Sequence, residues 1–128
     1  QRRLNEPPDF DLASLALNSL DQDLLKRINK VIDDHLDDPE FDVDRLATEA
    51  GLSRSSLFAK FKALTGITPN EFIRNQRLKR AAILLCEHKE LQIVEIAEQL
   101  GFGSSVYFSR SFKNMYGVSP AQYRKKKA

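Results

Sequence analysis

Residues 93–120 read Ile93-Val-Glu-Ile-Ala-Glu-Gln-Leu-Gly-Phe-Gly-Ser-Ser-Val-Tyr-Phe-Ser-Arg-Ser-Phe-Lys-Asn-Met-Tyr-Gly-Val-Ser-Pro120, and this stretch decides the fold. A related stretch comes earlier and reads Val43-Asp-Arg-Leu-Ala-Thr-Glu-Ala-Gly-Leu-Ser-Arg-Ser-Ser-Leu-Phe-Ala-Lys-Phe-Lys-Ala-Leu-Thr-Gly-Ile-Thr-Pro69. In both, a glycine that suits a tight turn separates two segments with apolar residues at helical spacing. Both also end on Gly, one further residue, Thr or Ser, and Pro. The repeat predicts two helix-turn-helix units that read adjacent stretches of DNA groove.

The rest of the chain shows helical periodicity and no sustained alternation of the strand type, so the sequence predicts an all-α fold. Short polar residues mark the predicted N-caps, which are Asp21, Asp42, Ser53, Thr68 and Ser119. The predicted organisation is a leader from a longer protein over 1–20, a first subdomain over 21–68, a linking helix over 69–87 and a second subdomain over 88–128.

Charge is distributed unevenly along the chain. Residues 1–52 carry 6 Lys and Arg against 13 Asp and Glu, a net charge of −7. Residues 53–128 carry 14 against 5, a net charge of +9. An acidic leader followed by a basic body points to a polyanionic partner for the body, with an unevenly charged solvated surface as the alternative.

Catalysis is not indicated. The two histidines, His35 and His88, fall on different predicted helices, and Cys86 and His88 are too close in sequence to share a helical face. No glycine-rich phosphate loop or metal-ligand cluster is present, so no cofactor, metal or small-molecule ligand is expected. The single cysteine has apolar neighbours that predict a buried helix position, and it fits a reducing cytoplasm.

In the first copy, the second helix is predicted to bury Leu57, Phe61 and Leu64 and to turn its opposite face toward DNA. The candidate base-reading residues on that face are Ser55, Phe58 and Ala59. The candidate phosphate-binding residues of the first copy are Ser53, Arg54, Lys60 and Lys62. A core position is the alternative for Phe58, because an exposed phenylalanine is unusual.

In the second copy, Phe108 and Phe112 form the predicted buried face, together with Met115 or Tyr116. The candidate base-reading residues are Ser105, Val106, Ser109 and Arg110, and Lys113 is the candidate phosphate contact. Arg110 is the strongest candidate, because a guanidinium fits the O6/N7 edge of guanine. A phosphate contact or a surface ion pair is the alternative for Arg110.

The helix between the two copies is basic. A helix of about 19 residues spans about 28 Å, a length that suits two recognition helices in successive major grooves about 34 Å apart. Arg74 is its candidate phosphate contact, whereas Arg77 suits a structural role at least as well. The acidic segment 21–44 is expected to lie away from DNA. Whether both copies insert at once stays open.

The motif Ile96-Ala97, Gly101-Phe102, Tyr107-Phe108-Ser-Arg110-Ser-Phe112-Lys113, Gly117-Val-Ser-Pro120 and Tyr123-Arg124 resembles the DNA-binding domain of the AraC/XylS family of transcription regulators. The resemblance covers roughly residues 22–125. It implies seven helices, base contacts from Ser55, Phe58 and Ala59 in the first copy and from Val106, Ser109 and Arg110 in the second, and activation of transcription.

The runs 57–66 and 69–82 are similar to the output domains of hybrid two-component systems from Bacteroides-type bacteria. That similarity implies a parent sensor kinase in the inner membrane, with a dimer in the full-length protein, a monomeric fragment and a contact with RNA polymerase. The small, apolar reading face of the first copy departs from many relatives, so this copy is expected to act more through phosphates and DNA shape.

A helical protein-interaction module without DNA is the alternative function, and RNA binding is disfavoured because the aromatic residues fall at core spacing.

Overall fold

The computed structural model describes residues 18–127, and within that range it contains seven α-helices and no strand. The all-α prediction is confirmed. The helices are α1 (Ser19–His35), α2 (Val43–Ala50), α3 (Arg54–Thr65), α4 (Pro69–Glu87), α5 (Ile93–Gln99), α6 (Ser105–Tyr116) and α7 (Pro120–Lys126). Most of the predicted leader lies outside the described residues. None of the helices described is long and apolar enough to cross a lipid bilayer.

The described chain forms two compact units. The N-terminal unit comprises residues 18–35 and 41–74, and the C-terminal unit comprises residues 36–40 and 75–127. The division therefore falls inside α4, between Arg74 and Asn75, and the connection from α1 to α2 belongs to the C-terminal unit.

The same turn follows the first helix of each copy. Gly51 and Gly101 have φ angles of 77° and 81°, the left-handed region that glycine enters without steric cost. The residue after each glycine donates its backbone N–H to the carbonyl of the corresponding alanine, Ala47 at 2.9 Å and Ala97 at 3.0 Å. These bonds satisfy carbonyls that the helix end would otherwise leave unpaired.

The starts of the second helices also match. The side chains of Ser53 and Ser104 accept hydrogen bonds from the backbone N–H groups of Ser56 and Tyr107. A short hydroxyl side chain in extended backbone satisfies one of the first four N–H groups of a helix. Both α3 and α6 then run for 12 residues and stop at a glycine in the left-handed region. The predicted repeat is therefore present as two copies of one helix-turn-helix.

Each unit has its own apolar core. In the N-terminal unit, α2 packs against both α1 and α3, and the rings of Phe61 and Phe72 pack with centroids 5.4 Å apart. In the C-terminal unit, Phe108 and Phe112 lie at the centre, and Tyr116 stacks on Phe112 at 4.5 Å. Each fully buried side chain of this size stabilises the folded state by about 1.5–3 kcal/mol. The predicted core faces of α3 and α6 are confirmed, with Leu64 only half-buried.

Arginines from other helices complete two helix ends. Arg27 of α1 donates to the carbonyl of Ala50 at the end of α2, at 3.0 Å. Arg124 of α7 donates to the carbonyls of Leu85 and His88 at the end of α4, at 3.0 and 3.3 Å. The last turn of α4 contains no basic residue of its own, so Arg124 supplies the cation that a helix C-terminus favours.

Two local predictions are wrong. Asp21 does not cap α1, because Asn18 is the residue whose side-chain oxygen accepts from the Asp21 backbone N–H, at 2.9 Å. Asp21 instead lies in the first turn, where its negative charge favours the helix. Cys86 is only partly buried, since it lies at the edge of the α4 face that packs into the core.

Candidate nucleic-acid interface

The face of α3 opposite its core is open to solvent. Ser55 and Ala59 are exposed, whereas Leu57 and Phe61 are almost completely buried. Ser55, Ala59 and Lys62 recur at helical spacing on one side of α3, because residues three and four apart share a face. The structure therefore brings the predicted contacts of the first copy together on one surface.

Phe58 lies between the core and this surface. Its side chain is half-buried, and the guanidinium carbon of Arg54 lies 5.3 Å from its ring centroid. A cation over an aromatic face is attracted by the ring quadrupole. Neither of the two sequence interpretations is complete, since Phe58 is not part of the buried core and its ring is covered by a cation.

Arg54 is also paired with a carboxylate. Its Nη1 atom donates to Oδ1 of Asp44 at 2.7 Å, a short charge-assisted hydrogen bond between two exposed side chains. Asp44 is in the first turn of α2, and Arg54 is the first residue of α3. Asp44 belongs to the acidic segment 21–44, so this part of the segment lies beside the predicted phosphate contact Arg54. The position of the segment relative to DNA stays a prediction. The sequence pattern did not indicate this ion pair, because its two residues lie on different helices, ten positions apart.

The other predicted phosphate contacts of the N-terminal unit differ in their surroundings. Lys60 and Lys62 are exposed, and Ser53 is exposed with its oxygen engaged in the cap of α3. Arg74 is half-buried and lies near Glu71. A hydrogen bond from the Thr68 backbone N–H is the largest cause that holds the pKa of Glu71 below its ordinary value, and the charges of Arg74 and Lys62 add to it.

The recognition face of α6 is more strongly exposed. Ser105, Arg110 and Lys113 are exposed, Val106 has 66% of its surface exposed, and Ser109 is half-buried. An arginine with methyl and hydroxyl groups on the same face supplies both kinds of contact that read base edges in a major groove.

Tyr107 also belongs to this surface, and the sequence interpretation missed it. It is 44% exposed, and its ring lies 5.8 Å from that of Phe102. Aromatic residues recur through α6 at core spacing, so the spacing alone did not indicate that Tyr107 is exposed. Tyr107 lies about one turn before Arg110 in α6, and its phenol is a group that can donate and accept hydrogen bonds.

Two basic residues in the C-terminal part of α4 have intramolecular partners. Arg77 donates to the carbonyl of Asp38 at 3.4 Å, and Arg80 pairs with Asp37 at 3.4 Å. The structural role expected for Arg77 therefore has a partner in the C-terminal unit.

A helix-turn-helix domain model matches residues 46–126, which include all of the second copy and the first copy except its first three residues. An AraC-type regulator from Chromobacterium violaceum superposes with a TM-score of 0.76 at 29% identity, over 87% of this chain and 97% of that one. The DNA-binding domain of the transcriptional factor AdpA, solved with a target DNA, superposes with a TM-score of 0.70 at 33% identity, over 80% and 90% of the two chains. The chain belongs to the AraC-type helix-turn-helix family. Members of this family are DNA-binding domains of transcription regulators.

A curated relative of the AraC-type domain is part of a much longer protein. A histidine kinase from Formosa agariphila is 43% identical over 112 residues, which are 88% of this chain and 8% of the kinase. This chain spans less than half the length of the curated relatives that it matches. The family model begins within α2, so α1 and its core residues precede the matched region.

Proposed function

We propose that this AraC-type domain binds specific double-stranded DNA with one recognition helix from each copy, α3 and α6, each in a major groove. The observation that carries the proposal is the pair of equivalent helix-turn-helix units whose second helices bury one face and expose the other. A recognition helix has to satisfy both conditions, since one face holds the fold while the other contacts base edges.

In this proposal, the base-reading residues are Ser55, Phe58, Ala59, Ser105, Val106, Ser109 and Arg110. The phosphate contacts are Ser53, Arg54, Lys60, Lys62, Arg74 and Lys113. The α6 face carries most of the base discrimination, because Arg110 can donate two parallel hydrogen bonds to guanine. The α3 face, with small side chains at Ser55 and Ala59, contributes through methyl contacts, phosphates and DNA shape.

The test is selection of binding sites from random duplex DNA, followed by the same selection with Arg110→Ala. The wild type is expected to enrich a defined sequence. Arg110→Ala is expected to lose preference at one guanine position by about 1–3 kcal/mol while it keeps its preference elsewhere. Lys113→Ala is the matched control on the same face, because loss of a phosphate contact weakens all sequences equally. Unchanged base preference in Arg110→Ala would remove the assignment of Arg110.

We further propose that the chain is the output domain of a two-component regulator that is anchored in the inner membrane and activates transcription. Support comes from its 43% identity with a histidine kinase from Formosa agariphila, of which the matching segment is 8%. Dimerisation of the parent would bring two domains to neighbouring sites, and a contact with RNA polymerase would produce activation. A reporter gene behind the selected site tests this. Expression that rises with the full-length protein and its signal supports activation, and expression that falls indicates repression.

A further inference from the structure

Arg54 faces two competing anions if α3 binds DNA as proposed, and this inference rests on that proposed function. In the structure its guanidinium is held by Asp44 at 2.7 Å and covers the ring of Phe58 at 5.3 Å. Asp44, Arg54 and Phe58 are called the latch below. Asp44 is 66% exposed at its side chain and Arg54 is 58% exposed, so a phosphate oxygen can reach the guanidinium from solvent.

We propose that Asp44 is an affinity-setting residue that competes with a DNA phosphate for Arg54. While the latch is closed, the positive charge of Arg54 is neutralised, and the guanidinium covers the aromatic face proposed to contact a thymine methyl group. In this proposal, the guanidinium of Arg54 leaves Asp44 when it binds a phosphate. The same movement uncovers Phe58, so backbone binding and methyl contact by the first copy are coupled.

The solvent exposure of the Asp44–Arg54 ion pair determines the direction and size of the effect of Asp44 on DNA affinity. An exposed ion pair is weak, because water screens the attraction and two flexible side chains must be ordered. A phosphate can therefore displace Asp44, and the latch reduces affinity without abolishing it. The carboxylate also remains close to the approaching phosphate after release, where it repels the DNA backbone. Both contributions predict that neutralising Asp44 tightens binding.

The experiment is a fluorescence titration of a labelled mixed-sequence 20-base-pair duplex with four proteins at several salt concentrations. The proteins are the wild type, Asp44→Asn, Arg54→Gln and the double variant. Asp44→Asn is expected to bind about two- to five-fold more tightly at low salt, which is the range that one exposed ion pair can supply. The slope of the logarithm of its affinity against the logarithm of the salt concentration should be steeper by up to about one, because Arg54 becomes available to a phosphate. In the Arg54→Gln background the same substitution should give no gain.

Asp23→Asn is the matched control, because Asp23 is an exposed acid of the same unit that lies on α1. Its affinity should stay near that of the wild type. Thermal unfolding followed by circular dichroism checks that each variant is folded, and Asp44→Ser gives a second neutral side chain in the same turn with the same expected gain.

Four results would overturn the proposal. Weaker binding by Asp44→Asn would mean that Asp44 positions Arg54 for DNA. If Asp44→Asn tightens DNA binding equally in the Arg54→Gln background, Asp44 acts only through its negative charge and not through Arg54. If the wild type binds DNA and neither Asp44→Asn nor Asp44→Ser binds more tightly, only the latch is overturned. If the wild type shows no salt-sensitive binding, the proposed function is overturned as well.

Discussion

Gly51 and Gly101 occupy the same position in the two copies, and alanine is expected to affect them differently. Both have φ near +80°, so an alanine at either position is forced into the left-handed region. At Gly51 a methyl group meets no atom within 4 Å. At Gly101 it would lie 2.9 Å from the carbonyl oxygen of Pro39 and 3.2 Å from the guanidinium of Arg77.

These surroundings set the expected free energies of unfolding. Gly51→Ala should destabilise by about 1 kcal/mol, because the left-handed strain of about 1–2 kcal/mol is partly offset by the reduced entropy of the unfolded chain. Gly101→Ala carries the same strain, and the crowded methyl group should cost about 1–3 kcal/mol more through overpacking. The guanidinium can move aside, but the carbonyl is backbone and has to shift with its segment. The total is about 2–4 kcal/mol, or a melting temperature lowered by roughly 8–16 °C in a domain of this size.

The assay is urea unfolding of purified variants followed by far-ultraviolet circular dichroism, with thermal melts in parallel. Gly103→Ala is a control in the same unit as Gly101, because its φ lies outside the left-handed region and a methyl group there meets nothing within 4 Å. It should be neutral or slightly stabilising. The reasoning is refuted if Gly101→Ala costs no more than Gly51→Ala.

Three further predictions concern helix ends and ionisation. Arg124→Met should destabilise the protein by about 1–2 kcal/mol, because the carbonyls at the end of α4 lose their charged donor while the apolar stem is kept. Glu71→Gln should reduce stability at pH 7, and its difference from the wild type should shrink as pH falls below 4.5 in urea unfolding. Since the Thr68 hydrogen bond lowers the pKa of Glu71, its stabilisation is present above the ordinary value of 4.5 and disappears as pH falls through the folded value. Tyr116→Phe should retain more stability than the wild type above about pH 10. Burial raises the pKa of Tyr116, so the stability due to its neutral phenol is present below the unfolded value and is lost as pH rises.

Each of these predictions has a control. Lys125→Met removes the same charge from an exposed neighbour of Arg124 on α7 and should leave stability nearly unchanged. Glu95→Gln makes the same change at the equivalent cap position of α5, where the Glu95 carboxylate accepts from the Gln92 backbone N–H at 2.7 Å. For Tyr116, the comparison is the difference between the variant and the wild type at pH 8 and pH 11, which cancels the titration of lysines. A pH-independent difference would show that ionisation of Tyr116 does not contribute.

Local signals explain how much of the fold could be predicted from the sequence. A glycine with a hydroxyl two or three residues later determines a helix end, a turn and a new cap through bonds among neighbouring residues. These features occur as predicted at Gly51, Ser53 and Gly101, and Ser104, which is not among the predicted N-caps, caps α6 in the same way. The buried faces of α3 and α6 also follow from apolar spacing, because a helix places every third or fourth residue on one side.

The candidate site was predictable only in part. Helical spacing determined that Ser55, Ala59, Val106 and Arg110 would share surfaces opposite a core, and the structure exposes all four. Their roles toward DNA stay predictions. The outward position of Tyr107 was not predictable, because spacing alone does not separate an aromatic residue at the edge of a core from one inside it.

The sequence by itself determined the two helix-turn-helix units, their turns, caps and buried faces, since each depends on interactions within about a dozen neighbouring residues. Only the tertiary structure decided that Asp44 holds Arg54, that Arg124 completes the end of α4, and that Gly101 is crowded where Gly51 is open. These contacts join residues 10, 39 and 62 positions apart in the chain, Gly101 being measured to Pro39. Such pairs meet only when helices pack, and no local pattern of residues encodes which side chains come together.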